Sequence, residues 1–179
     1  MLNDKSLRWS RRLSVVPRWV IVPTIQRQNV AEHSFHVAQT ARWLMQFHAS
    51  KFDGTHRELL AEVIERALDH DIDEAATGDR PTPSKQGKVY HASMPQSAII
   101  VKVADILEAL AFLYEEKMMG NARIHALFDE RKQALREVWG FFHQIKADDG
   151  NGDWFKEGAI GLLNFYLSVL TASHPGMEQ

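Results

Sequence analysis

Apolar residues recur at helical spacing through most of the 179-residue chain, and no stretch shows the strict alternation of a half-buried strand. Residues 7–15 form a short basic amphipathic pattern that Pro17 stops. Residues 18–28, β-branched and polar with Pro23 among them, predict an irregular loop. From residue 29 to about 48, Val30, His33, Val37, Thr40, Ala41, Leu44 and Phe47 fall near helical spacing. Asn29 is a candidate N-cap, and Glu32 three positions on completes a capping-box variant. After a turn over 51–55 with Gly54, residues 57–70 predict a second helix on Leu59, Leu60, Val63, Ile64, Ala67 and Leu68.

Residues 77–97 carry Gly78, Pro81, Pro83, Gly87 and Pro95 and predict a long loop, a feature that is often functional in a compact domain. A third helix is expected over 97–119 and ends at Gly120-Asn121. A fourth covers 124–143, with Trp139, Phe141 and Phe142 as core or interface residues, and a fifth covers 153–171. The acidic run 148–153 lacks the terminal Glu of a calcium loop. The expected fold is all-α, a single compact helical bundle of about five to seven helices over residues 1–179.

Composition narrows the chemistry. With no cysteine, disulfides, thiolate metal sites and cysteine nucleophiles are excluded, so any metal must rest on nitrogen and oxygen. A net charge of -2 offers no general basic field for a nucleic-acid polymer. No apolar run reaches the roughly 18 residues of a membrane span, and the N-terminus has no signal-peptide core. The expectation is an intracellular, cytoplasmic protein without membrane or nucleic-acid partners.

The candidate chemistry centres on His70-Asp71, at the end of the second helix, with His33 early in the first long helix and Asp105 in the third. Helices joined by a short turn are usually antiparallel, so the start of one lies level with the end of the next. Two imidazoles and two carboxylates can therefore close around one divalent ion; Zn, Co, Mn, Fe or Mg all suit such donors. Such an ion polarises phosphoryl oxygens and acidifies water. A histidine on a helix is more often a core or surface residue, and His-Asp pairs arise by chance, so spacing permits convergence without requiring it. His36, three residues after His33, is a neighbour of the set.

These residues resemble the HD-domain phosphohydrolases, whose pattern is a separate His, then His-Asp, then a distant Asp. The resemblance runs in order through Arg18-Trp19, Asn29-Val30-Ala31-Glu32-His33-Ser34, His70-Asp71-Ile72-Asp73-Glu74-Ala75, Thr77-Gly78-Asp79-Arg80-Pro81-Thr82-Pro83 and Lys102-Val103-Ala104-Asp105. It covers roughly residues 8–120 and looks like the bacterial 5'-deoxynucleotidases and the compact phage dATP triphosphohydrolases. Only 34 positions separate Asp71 from Asp105. The bacterial enzymes usually carry an extra helical segment there, so the compact form is closer to the phage branch.

The resemblance implies one divalent metal on His33, His70, Asp71 and Asp105. It also implies Glu74 as general acid/base or water-orienting carboxylate, and Asp79 near the sugar or leaving oxygen. Arg18 has the guanidinium for bidentate phosphate binding, and Trp19 offers a wall for base or sugar. Lys85 and Lys102 are candidate phosphate cations, and Ile21 and Pro83 a candidate apolar wall; His91 is a further loop residue within reach of phosphate. The implied reaction is dATP to deoxyadenosine plus triphosphate. Its alternatives are phosphate release from deoxynucleoside monophosphates and non-catalytic nucleotide sensing. The implied partner is a small deoxynucleotide, with a homo-oligomer (dimer or hexamer) as the assembly and, for a phage-encoded chain, the host cytoplasm as its place.

Overall fold

The computed structural model describes residues 4–47, 56–79 and 94–146. Within them the chain forms α1 (Asp4–Arg12), α2 (Val30–Phe47), α3 (His56–Asp69), α4 (Glu74–Thr77), α5 (Gln96–Met118) and α6 (His125–Lys146). Short 3-10 turns follow α1 (Leu13–Val15) and precede α6 (Ala122–Ile124). There is no strand among the described residues beyond one isolated bridge between Pro17 and Asn29. The all-α expectation holds. The expected helix over 153–171, the run 148–153 and the side chains of Trp139, Phe141 and Phe142 lie outside what is described.

α5 is the central element, packed against α2, α3 and α6. Its Ile99, Ile100, Val103, Ile106, Leu107 and Leu110 meet Val37, Ala41, Leu44 and Met45 of α2 and Val63 and Ala67 of α3 in one buried cluster. Burying each large aliphatic side chain contributes about 1.5–3 kcal/mol, so this contact holds together α2 and α5, which carry His33 and Asp105, and α3, which leads into His70 and Asp71. No helix among the described residues is long and apolar enough to cross a membrane.

The capping box at the start of α2 forms as expected. Glu32 N–H donates to Asn29 Oδ1 at 2.9 Å, and Asn29 N–H donates to Glu32 Oε2 at 3.1 Å. The irregular loop between α1 and α2 closes on itself, with Arg18 N–H donating to the Gln28 carbonyl at 2.8 Å and Val30 N–H to the Val16 carbonyl at 3.0 Å. Its tip is fastened to α5. The buried Glu116 carboxylate accepts Ile25 N–H and Gln26 N–H, both at 2.7 Å, and Asn121 Nδ2–H at 2.6 Å. A carboxylate so deep in a helix bundle requires such a set of donors.

One boundary differs from the sequence expectation. α3 ends at Asp69, so His70 and Asp71 fall in the turn after it, followed by the single helical turn α4. Asp105 lies in the third turn of α5, one to two turns into the helix as expected.

Candidate metal centre

His33, in the second turn of α2, is fully buried, and its Nε2 faces three other side chains. His70 Nε2 lies 3.2 Å away, Asp105 Oδ1 3.3 Å and Asp71 Oδ2 3.7 Å. His70 Nε2 is in turn 3.2 Å from Asp71 Oδ2. Bonds of about 2.1 Å to one metal ion place neighbouring ligand atoms about 3.0–3.5 Å apart, so these spacings suit a single shared ion. One donor atom each of His33, His70 and Asp71 lie within 4.8 Å of one another. Asp105 joins through His33, while its Oδ2 accepts from Lys102 Nζ at 2.6 Å.

The outer nitrogens fix which ring atoms face the centre. His70 Nδ1 lies 2.7 Å from the Ala67 carbonyl, which can only accept, so Nδ1 carries the hydrogen. His33 Nδ1 lies 2.5 Å from Glu108 Oε2 and donates to it. Both Nε2 atoms, with two carboxylates, are thereby directed at one point, an arrangement that favours a cation there. The residues present fit a divalent metal.

The same field shapes the protonation of the site. Burial and Arg18 push the His33 imidazole down, but Glu108 and Asp105 outweigh them and raise it above its ordinary 6.5. Burial pushes the Asp105 carboxyl up, yet Lys102, His33 and His70 together hold it well below its ordinary 3.8. Glu108 is likewise raised by burial and lowered further by His33, Arg18 and Gln28.

Glu74, the first residue of α4, is buried at 3 % exposure, and its N–H donates to the Asp71 carbonyl at 3.0 Å. α4 therefore hangs directly on the His-Asp turn. Asp79, just past the Gly78 cap of α4, accepts the Trp19 backbone N–H at 3.0 Å.

Trp19 is buried, with its indole stacked on Phe112 at 5.4 Å between centroids and 7° between planes, and its Nε1–H donates to Gln28 at 3.0 Å. Arg18 lies over the Trp19 ring and binds Gln28 Oε1 at 3.1 Å and Glu108 Oε2 at 3.3 Å. Arg18 Nε is buried with no hydrogen-bond partner among the described residues. Ile21 is 72 % exposed and packs into no core cluster among the described residues. Lys102 stands over Asp105. Pro83, Lys85 and His91 lie outside the described residues. His36 is exposed, edge-on to Phe35, away from the centre.

Glu108 and Gln28 were not singled out in the sequence. Glu108 did carry a signal: it is a carboxylate three residues after Asp105, inside the apolar run Ile106-Leu107-Glu108-Ala109-Leu110. Gln28 carried none.

A helical bundle that directs a histidine, a His-Asp pair and a distant aspartate at one point defines a class, the HD-type metal-dependent phosphohydrolases. Within it, the family model described as "5'-deoxynucleotidase YfbR-like" matches residues 6–96, and the chain belongs to that family. A dATP triphosphohydrolase of Salmonella phage PMBT28 is 33% identical over 147 residues, covering 70% of this chain and 76% of the relative. The 5'-deoxynucleotidase VP0926 of Vibrio parahaemolyticus is 33% identical over 170 residues, covering 93% and 85%. Among solved structures, the cyanophage S-2L HD phosphohydrolase DatZ, bound to dA and one catalytic Zn2+ ion, superposes with a TM-score of 0.62 at 22% identity. The match covers 94% of this chain and 98% of that one, and it is a likeness of fold. The chain is thus a deoxynucleotide phosphohydrolase of the YfbR-like HD type.

Proposed function

We propose that the chain hydrolyses dATP to deoxyadenosine and triphosphate, using one divalent metal held by His33, His70, Asp71 and Asp105. The observation that carries the metal site is the convergence of the two Nε2 atoms and two carboxylates within ligand spacing. An ion held there would supply an acidified water and polarise a phosphoryl oxygen.

The chain's own residues supply the rest. Glu74, buried beside the His-Asp turn, orients the attacking water and takes its proton. Arg18, 12 % exposed and paired through Nη1 with Glu108, offers its accessible guanidinium N–H groups to a phosphate oxygen. Lys102 Nζ, partly exposed and 2.6 Å from Asp105 Oδ2, is a second phosphate cation. Asp79 serves the departing 5' oxygen, and Trp19 and Ile21 face the nucleoside; Pro83 and Lys85, which lie outside the described residues, come to the nucleoside and phosphate ends by the family resemblance alone. Trp19 shares its indole face with Phe112, so it serves as a rigid wall rather than a mobile stacking plate. The protein acts on a free deoxynucleotide in the cytoplasm, as a single-domain subunit of a homo-oligomer.

The triphosphate is favoured by the short Asp71–Asp105 interval and by the phage relative that carries that name. Phosphate release from deoxynucleoside monophosphates is the second reading, favoured by the family description and the Vibrio relative. Incubating the metal-loaded protein with dATP and with dAMP separates them. Triphosphate from dATP supports the first and phosphate from dAMP the second. Binding of both without turnover identifies a nucleotide sensor.

A further inference from the structure

We propose that Glu108 is a positioning residue that sets the metal-binding tautomer of His33, with Arg18 as a counter-charge that moderates it. The inference rests on the metal site proposed above and deepens it. Glu108 stands one helical turn after Asp105 on α5, 3 % exposed. Its Oε2 accepts both His33 Nδ1–H at 2.5 Å and Arg18 Nη1–H at 3.3 Å, and its Oε1 accepts Gln28 Nε2–H at 2.5 Å.

A neutral imidazole carries one N–H. By taking that hydrogen at Nδ1, Glu108 leaves the Nε2 lone pair toward His70, Asp71 and Asp105. A carboxylate behind a ligating histidine also raises its basicity, and loss of such a partner typically weakens metal affinity by about 10–100-fold. The Gln28 amide has a single self-consistent orientation. Its Oε1 accepts from Trp19 Nε1–H at 3.0 Å and Arg18 Nη1–H at 3.1 Å, so its NH2 must face Glu108. Every oxygen of the buried carboxylate is thus accounted for, a condition under which a buried polar network rigidifies its members.

Packing alone does not explain the carboxylate. Ile106, Leu107, Ala109 and Leu110 beside it in sequence are buried and apolar, so the carboxylate answers to His33, Arg18 and Gln28 rather than to its own helix. Arg18 acts in the opposite sense to Glu108. It draws on the same oxygen and adds a positive charge to the region where a cation would bind.

The test is zinc or cobalt affinity, measured by competition with a chromophoric chelator at fixed pH, for wild type, Glu108→Ala, Glu108→Gln and Arg18→Met. Thermal melts identify which variants are folded. Glu108→Ala is expected to bind metal about 10–100-fold more weakly, Glu108→Gln to lose less in the same direction, and Arg18→Met to bind a few-fold more tightly. Glu108→Gln, nearly isosteric, carries the test if the alanine variant does not fold. Folded Glu108 variants with wild-type affinity overturn the inference alone. So does weaker binding in Arg18→Met as well, which marks general disruption. A wild type that binds no divalent metal overturns the proposed metal site along with it.

Discussion

The Asp79 carboxylate accepts the backbone N–H of Trp19 at 3.0 Å, tying the loop before α2 to the segment that follows the His-Asp turn. Trp19 has a φ of 60°, a left-handed conformation that costs an L-residue about 1–2 kcal/mol. Val22 N–H donates to the Trp19 carbonyl at 2.8 Å, and together with Asp79 and the Phe112 stack it holds the residue there. The neighbouring Arg18 is aimed by this turn.

Asp79→Ala leaves the Trp19 N–H without its acceptor and is expected to destabilise the fold by about 1–3 kcal/mol. Asp79→Asn retains an acceptor oxygen and should melt close to wild type while turning over more slowly, if the charge also serves the leaving group. Melting and kcat for the two variants separate the roles; an asparagine variant normal in both reduces Asp79 to a structural part.

Gly78 caps α4 at a φ of 75°, and a Cβ there would meet nothing within 4 Å among the described residues. With a ψ of 168° the backbone lies in a region that essentially only glycine occupies, so Gly78→Ala costs the backbone strain, about 1–3 kcal/mol. Because Asp79 follows directly, turnover should fall by more than stability does. Denaturant unfolding and steady-state rates measured together check this.

Asp105→Ala and Glu74→Gln should fail differently. The first removes a candidate ligand and leaves Lys102 facing His33 and His70, so metal content and activity are both lost. The second keeps the shape and the metal but loses the base, and kcat should fall by about 10²–10⁴-fold. Elemental analysis beside kcat reads both. Wild-type metal content in Asp105→Ala rejects the ligand assignment, and unchanged turnover in Glu74→Gln rejects the base.

Stability should depend on pH through His33. Its folded value is raised above 6.5, so its contribution is fully present below 6.5 and lost as pH rises through the folded value. Asp105 and Glu108 are lowered and act in the opposite sense. Their contributions are present above their ordinary 3.8 and 4.5 and are lost only as pH falls through the depressed values. The chelated protein should melt at progressively lower temperature as pH is raised beyond 6.5. The metal-loaded protein should not show this fall, because the metal takes the place of the proton on Nε2.

Helices that bury a stripe were legible from spacing: Val30, Val37, Ala41 and Leu44 line one face of α2, and Asn29 with Glu32 closes its start. The candidate ligands were legible because their order and residue types repeat a family pattern, and the structure brings His33, His70, Asp71 and Asp105 together. α4 escaped because a single turn is shorter than any period can reveal, and it depends on Glu74 N–H and Gly78 rather than on an apolar stripe. The Trp19 conformation and its bond to Asp79 arise from a contact across 60 positions, which no local pattern encodes. Gln28 could not be found for the same reason: its function is defined by Glu108, 80 positions away.

The central claim is that a single divalent metal at these four side chains makes the chain a deoxynucleotide phosphohydrolase. It is tested most directly by titrating the chelated wild-type protein with zinc or cobalt and following product release from dATP and dAMP. Turnover should be absent without metal, rise linearly and reach its plateau at about one metal per chain, with triphosphate released from dATP. Full turnover in the chelated protein, or none on either substrate at saturating metal, contradicts the account.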